Sequence, residues 1–181
     1  LSIFSEGIEL HTPSKSSSVH HKYLYAELEK LLEPLPVDAK RKTAAADALH
    51  ELAERIHKRS LVIILSDMFD TMSEQDALFS ALQHLKHNKH EVILFHVADG
   101  KRELDFDFDN RPYRFIDMES GEQVKVFPSA IRDHYLRNMQ NFMTELKLRC
   151  AQYHIDFVEA DIGQGFEQVL LPYLVKRSKL Y

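Results

Sequence analysis

Three short segments that indicate buried strands constrain the fold of this chain more than any other feature of the sequence. They are SLVIIL at 60–65, EVILFHVAD at 91–99 and HIDFVEAD at 154–161. The first is continuously apolar after Ser60, which is typical of a strand in a parallel sheet that is covered on both faces. Amphipathic helical patterns lie between them, and the longest covers about 129–153. The alternation of strands and helices predicts an α/β fold with a mostly parallel sheet.

Two regions fall outside this alternation. LSIFSEGIELHTP, at the start of the chain, predicts two short strands that turn at Glu6-Gly7. Within residues 104–109, apolar residues alternate with aspartates, and this alternation predicts a strand with one acidic face. A predicted hairpin follows it. We therefore expect a small antiparallel insertion at about 100–128.

The composition limits the classes of function. The 181 residues fit one domain, 1–181, and 44% of them are hydrophobic, which is typical of a globular chain. A formal charge of −5 gives no overall basic field that would favour nucleic acid. The single cysteine, Cys150, excludes an internal disulfide and fits the reducing cytoplasm. No apolar run approaches the roughly 20 residues that a membrane-spanning helix needs, so we expect no membrane insertion.

Asp67 stands where a predicted buried strand ends, directly after Ser66. Ligands of open α/β sheets bind at the carboxyl ends of the strands. Thr43, at the predicted start of the preceding helix, is expected at the same edge. A hydroxyl and a carboxylate on neighbouring loops suit a hard, oxygen-ligated cation such as Mg²⁺. Helix capping by both side chains is the structural alternative, and the residues alone leave both interpretations open.

Other metal patterns are incomplete. The aspartates at 105, 107 and 109 begin like a calcium-binding loop, but Asn110 and Ile116 stand where that loop needs Gly and Glu. His84 and His87 share a helical face, yet no cysteine or carboxylate completes a zinc pattern around them. We interpret these histidines as solvated surface residues.

The order of the segments is similar to that of a known family. A helix opened by Thr43 (KTAAADALHELA) is followed by a strand that ends in SDMFD, then by EVILFHVAD and an acidic-aromatic insertion. A long helix with RDHYLRNMQNFMTELKLRC, HIDFVEAD and a closing amphipathic helix complete the series. The series resembles the carboxy-terminal part of bacterial proteins that carry domain of unknown function 58. This resemblance implies a von Willebrand factor A-like domain, which is a three-layer α/β/α Rossmann-like fold.

The resemblance also implies a metal-ion-dependent adhesion site, which has three parts in such domains. By motif position, Thr43 matches the threonine of the second loop and Asp67 the aspartate of the third, while the Asp-x-Ser-x-Ser motif of the first loop has no match. Ser66, Phe69 and Asp70 would line the contact loop. Mg²⁺ or Mn²⁺ is the implied ion. Two ligands leave most of an octahedral shell to water, so we expect a metal-free form for this chain.

The first segment, LSIFSE, starts at Leu1 without a preceding Met and matches the family strand that comes after the missing motif. We therefore expect a chain that is truncated at its amino terminus and lacks the first strand and helix of the fold. The loss of a central strand leaves unpaired strand edges and exposed apolar surface. Self-association would follow from that exposure.

The resemblance implies a protein–protein interaction module and not an enzyme. In the family mechanism, a carboxylate of the partner completes the metal shell at the top of the sheet. The implied co-working partner is a MoxR-type AAA+ ATPase, in the assembly or activation of other proteins. One alternative is a Mg²⁺-dependent hydrolase or phosphoryl-transfer enzyme that uses Asp67, with Asp70 as the local second carboxylate. The other is a degenerate, metal-free scaffold that acts through its surfaces alone.

Overall fold

The structure is a computed structural model, and it describes residues 1–5, 7–33, 45–57, 59–68, 75–116 and 123–179. The strands are β1 (Ser2–Phe4), β2 (Ile8–His11), β3 (Leu61–Ser66), β4 (Glu91–Ala98), β5 (Tyr113–Ile116), β6 (Gln123–Val126) and β7 (Asp156–Asp161). The helices are α1 (Ser18–Lys30), α2 (Ala45–Arg55), α3 (Gln75–His87), α4 (Pro128–Gln152) and α5 (Phe166–Ser178). A short π-helical turn, Gly100–Leu104, follows β4.

A parallel sheet in the order β3-β4-β7 forms the centre of the fold. Ser66 pairs with His96 and Leu65 with Phe95, while His96 pairs in turn with Glu159 of the third strand. Helices connect the strands, so the carboxyl ends of all three strands lie at one edge. The predicted α/β class, with a Rossmann-like parallel sheet, is confirmed.

One face of the sheet carries the main hydrophobic core. The helices α2, α3 and α4 contribute apolar residues to it, and the even-numbered positions of β3 and β4 point into it. Its most deeply buried members, each at most 1% exposed, are Leu49, Leu78, Ala81, Leu82, Leu85, Val92, Leu94, Leu146 and Cys150. Burial raises the pKa of the Cys150 thiol to about 11, so this thiol stays protonated at neutral pH.

The helix α5 covers part of the opposite face. The ring of Tyr173 meets Phe95 edge to face, with ring centroids 5.5 Å apart. Arg177 donates to both carboxylate oxygens of Glu91, at 2.5 Å and 3.1 Å. Lys176 Nζ donates to Asp156 Oδ1 at 3.1 Å. These contacts place α5 over β4 and β7.

The same face of β3 is open, which corrects the prediction that both faces of this strand are buried. The side chains of Leu61, Ile63 and Leu65 are 44%, 50% and 68% exposed. The strand lies at an edge of the sheet, beyond the strands that α5 contacts.

The two short strands predicted at the start of the chain are confirmed. They pair as an antiparallel hairpin, in which Ile3 lies opposite Leu10. Phe4 and Ile8 pack against the main core. The second hairpin, β5–β6, is also antiparallel and confirms the pairing within the predicted insertion; its turn lies outside the described residues.

The strand predicted at 104–109 is wrong. Leu104 ends the π-helical turn, and the residues after it form an irregular loop. Phe106 has a φ of 51° and is only 5% exposed, because its ring packs against Tyr135 at 4.4 Å and Phe108 at 4.9 Å between centroids. The alternation of apolar residues and aspartates thus reflects an aromatic cluster built on a loop, with the aspartates facing solvent.

The helices agree with the predicted patterns, and the long pattern at about 129–153 corresponds to α4. The predicted start of α2 at Thr43 lies outside the described residues, which include this helix from Ala45 onward. Among the helices that the structure describes, none combines the length and the apolar character that crossing a membrane requires.

Candidate functional site

The candidate site is the edge of the sheet at which β3, β4 and β7 end. Asp67 follows β3 directly, Asp99 follows β4, and Asp161 is the last residue of β7. Parallel strands bring their carboxyl ends to one edge, and ligands of open α/β sheets bind there. Chain segments that are far apart in sequence therefore each place a carboxylate at the same edge.

The loop after β3 holds Asp67 on the surface. Ser66 Oγ accepts a hydrogen bond from the main-chain N–H of Met68 at 3.1 Å. Met68 has a φ of 54°, a left-handed conformation that is uncommon for a non-glycine residue, and its side chain is 2% exposed. The hydrogen bond between Met68 and Ser66 and the buried Met68 side chain therefore hold the main chain on both sides of Asp67. The side chain of Asp67 itself is exposed to solvent.

Asp161 ties the ends of β4 and β7 together. Its Oδ1 accepts hydrogen bonds from the main-chain N–H groups of Gly100 at 3.0 Å and Gly163 at 2.8 Å, and its Oδ2 accepts one from Gln164 Nε2 at 3.1 Å. The bonds from Gly100 and Gly163 hold the pKa of the Asp161 carboxyl below its usual value. These bonds stabilise the charged carboxylate, so Asp161 acts here as a structural anchor.

Glycine is needed at position 100 for this contact. A Cβ atom at Gly100 would lie 2.6 Å from Asp161 Oδ2, a distance at which the main chain or the carboxylate must move. The close approach of the two loops therefore depends on a residue without a side chain.

Negative charge accumulates beside Asp67. Glu103 Oε2 accepts a hydrogen bond from the main-chain N–H of Asp99 at 3.2 Å. Burial raises the pKa of the Glu103 carboxyl, and the negative charges of Asp67 and Asp99 raise it further. Glu103 therefore lies close enough to Asp67 and Asp99 for their negative charges to act on it, and a group of neighbouring carboxylates attracts cations.

His96 lies beneath this edge. Its ring is 1% exposed and packs between Phe142 and Phe157, with centroids 6.1 Å from each. Burial lowers the pKa of His96, although the charge of Asp67 and a hydrogen bond to the main chain of Asp67 oppose the shift. The neutral imidazole therefore supports the loop after β3 from below.

The structure describes two of the five residues that the sequence singled out. Ser66 and Asp67 lie at the predicted edge, whereas Thr43, Phe69 and Asp70 lie outside the described residues. Within the described ranges, no group of three or more histidine, cysteine, aspartate or glutamate side chains has the geometry of a metal site.

Sequence reasoning missed three contributors to this edge: Glu103, His96 and the contact of Asp161 with Gly100. The sequence does contain a signal for the contact of Asp161 with Gly100. EVILFHVAD and HIDFVEAD both end in an aspartate, and a glycine follows EVILFHVAD. No local pattern shows that the two segments meet, since Gly100 and Asp161 are 61 positions apart.

The sequence of this chain matches the model of a known protein family. The sequence model of a family described as "Protein of unknown function DUF58" matches residues 1–144, which include β3, β4 and the insertion but not β7 and α5. Neither the curated proteins nor the solved structures that were searched contain a match. The match covers most of the 181 residues, and the chain therefore belongs to the DUF58 family.

Proposed function

We propose that this chain is a non-enzymatic protein-binding module of the von Willebrand factor A-like type. Its partner contacts the carboxyl edge of the sheet through an Mg²⁺ or Mn²⁺ ion. The observation that carries the proposal is the exposed carboxylate of Asp67, directly after β3 and in the negative potential that it shares with Asp99 and Glu103. A surface carboxylate in such a potential favours a divalent cation over an anionic ligand.

In this proposal, each residue of the edge has one role. Asp67 holds the ion directly or through a water molecule, and the hydroxyl of Thr43 contributes from the neighbouring loop. Ser66 stabilises the loop conformation, because its Oγ accepts a hydrogen bond from the Met68 N–H. Phe69 and Asp70 would contact the partner. A carboxylate of the partner completes the oxygen shell, so the ion is bound tightly only in the complex.

The proposed partner is a MoxR-type AAA+ ATPase, with which the module would assemble or activate other proteins. The choice of this partner rests on what the resemblance described in the sequence analysis implies. The enzymatic alternative uses the same residue as a nucleophile or ligand, and it needs a second carboxylate within reach of Asp67.

A binding assay with matched variants tests the proposal. The chain is immobilised, and its affinity for a purified MoxR-type AAA+ ATPase is measured with Mg²⁺ and with EDTA. We expect EDTA and Asp67→Ala to weaken binding at least tenfold, which corresponds to about 1.4 kcal/mol. Asp133→Ala, an exposed carboxylate on α4, serves as the control and leaves binding unchanged.

Two results would contradict the proposal. Binding that survives both EDTA and Asp67→Ala would indicate a metal-free scaffold. Turnover of a generic phosphate ester that Asp67→Asn abolishes would indicate an enzyme of the phosphoryl-transfer or hydrolase class.

A further inference from the structure

Two histidines from neighbouring helices meet in a surface groove that lies away from the carboxyl edge. His50 of α2 and His84 of α3 form a hydrogen bond between their Nδ1 atoms, which are 3.1 Å apart. The ring centroids are 5.3 Å apart, and the ring planes make an angle of 45°. His50 is half-buried, and the side chain of His84 is 28% exposed, so both can be reached from solvent.

A carboxylate fixes the second ring. His84 Nε2 lies 2.8 Å from Glu54 Oε1, and Glu54 is on the same face of α2 as His50, four residues later. A neutral imidazole carries one proton, so a His84 ring that donates from Nε2 to Glu54 presents a lone pair at Nδ1, which accepts the Nδ1–H of His50. An ion that binds both Nδ1 atoms displaces this proton, and the neutral His50 ring then carries its proton on Nε2. Metal-binding histidines are commonly oriented in this way, with the second ring nitrogen donating to a carboxylate.

The helices α2 and α3 are packed together by the main core and by a hydrogen bond. Leu49 of α2 and Leu82 and Leu85 of α3 are at most 1% exposed within the main core. Asn88 Nδ2, just after α3, donates to the main-chain oxygen of Ala53 at 2.9 Å. The distance between His50 and His84 is therefore set by the packing of the two helices.

The distance between the nitrogens suits one bridging ion. An ion about 2.1 Å from two nitrogens that are 3.1 Å apart makes an N–metal–N angle of roughly 95°. That angle matches adjacent positions in a square-planar or octahedral shell, which Cu²⁺ and Ni²⁺ adopt, and it is narrower than the tetrahedral angle that Zn²⁺ prefers. The groove has a volume of about 670 Å³ and leaves room for water ligands.

We propose that the Nδ1 atoms of His50 and His84 bind one divalent transition metal ion, with Cu²⁺ or Ni²⁺ favoured over Zn²⁺, and that Glu54 orients His84. The site joins α2 to α3. It differs from the carboxyl edge in its ligands, because imidazole nitrogens select these ions and carboxylate oxygens select Mg²⁺ or Mn²⁺.

Calorimetric titration with Ni²⁺ tests this proposal on the intact chain. We expect saturable 1:1 binding that His50→Gln and His84→Gln each weaken at least tenfold, with no further loss in the double variant. Glu54→Gln should weaken binding by a smaller factor than His84→Gln. His87→Gln is the matched control, because His87 lines the same groove on the same helix and should keep affinity within about twofold.

A second measurement needs no variant. Long-range ¹H–¹⁵N spectra of the wild-type chain during a Zn²⁺ titration should shift the Nδ1 resonances of His50 and His84 before those of other histidines. The proposal is overturned if the wild type binds no Ni²⁺, if His50→Gln and His84→Gln bind as the wild type does, or if His87→Gln causes an equal loss. Perturbation of Nε2, or of His87 or His154 first, would also overturn it.

Discussion

The strands β3 and β4 look alike in sequence but differ in their surroundings. Both contain a run of at least four apolar residues, and they pair in parallel over six residues. In β4, the residues from Val92 to Phe95 are at most 7% exposed, because helices lie on both faces. In β3, Leu65 is 68% exposed. An apolar segment therefore predicts a strand, but whether helices bury both faces of that strand depends on its position in the sheet.

The largest expected effect separates the two strands directly. Leu94→Ala removes a fully buried side chain from β4 and should lower the free energy of unfolding by about 2–5 kcal/mol. Leu65→Ala makes the same chemical change on the open face of β3 and should cost less than about 1 kcal/mol. Urea unfolding followed by circular dichroism measures both. Equal losses would mean that the open face of β3 is covered in solution.

The hydrogen bond between Asp161 and the main-chain N–H of Gly100 links β4 to β7, the two strands that α5 covers. Gly100→Ala places a Cβ 2.6 Å from Asp161 Oδ2 and should lower the free energy of unfolding by about 1–3 kcal/mol. Gly7→Ala is the control, because a Cβ at Gly7 meets no atom within 4 Å. The explanation fails if thermal melts show the same change for both variants.

The open face of β3 should also promote self-association. Leu65→Lys should weaken concentration-dependent association about tenfold, because it places a charge on the exposed strand surface. Leu148→Lys is the matched control: Leu148 is 66% exposed, but it lies on the outer side of α4. Sedimentation velocity over a range of concentrations distinguishes them. A monomeric wild type, or equal effects of both lysines, would contradict this expectation.

The smallest effect concerns acid stability. Hydrogen bonds from Gly100 and Gly163 lower the pKa of Asp161 in the folded chain, so the unfolded chain binds this proton more readily. The stabilisation is complete above the ordinary aspartate pKa of about 3.9 and is lost as the pH falls through the lower, folded value. Asp161→Asn should therefore flatten the dependence of unfolding free energy on pH below about 4, while Asp133→Asn should not. Identical slopes for the two variants would refute the assignment.

Much of the fold follows from patterns within single segments. The spacing of buried alanines and leucines in α2 and α3, and the apolar runs of β3 and β4, are local signals, and the structure confirms the elements that they predict. The strand predicted at 104–109 failed because a buried aromatic cluster on a loop gives the same alternation as a strand. The sequence did not predict the open face of β3, because burial of this face depends on where α5 packs.

Less of the candidate site could be predicted. The place of Asp67 follows from a local rule, that a polar residue directly after a buried strand lies at the carboxyl edge. The contact of Asp161 with Gly100 and the pairing of His50 with His84 join residues 61 and 34 positions apart. Such contacts depend on the packing of whole elements, so the sequence pattern around His84 and His87 indicated surface histidines only.

The most direct test of the central proposal is a Mn²⁺ titration of the isotope-labelled chain, followed by paramagnetic broadening of amide resonances. The proposal predicts that the amides of Ser66, Asp67 and Met68 broaden first, with Asp99 next, and that Asp67→Ala removes this selectivity. Broadening that starts elsewhere, or that is the same in Asp67→Ala, would contradict a role for this edge in cation-dependent binding.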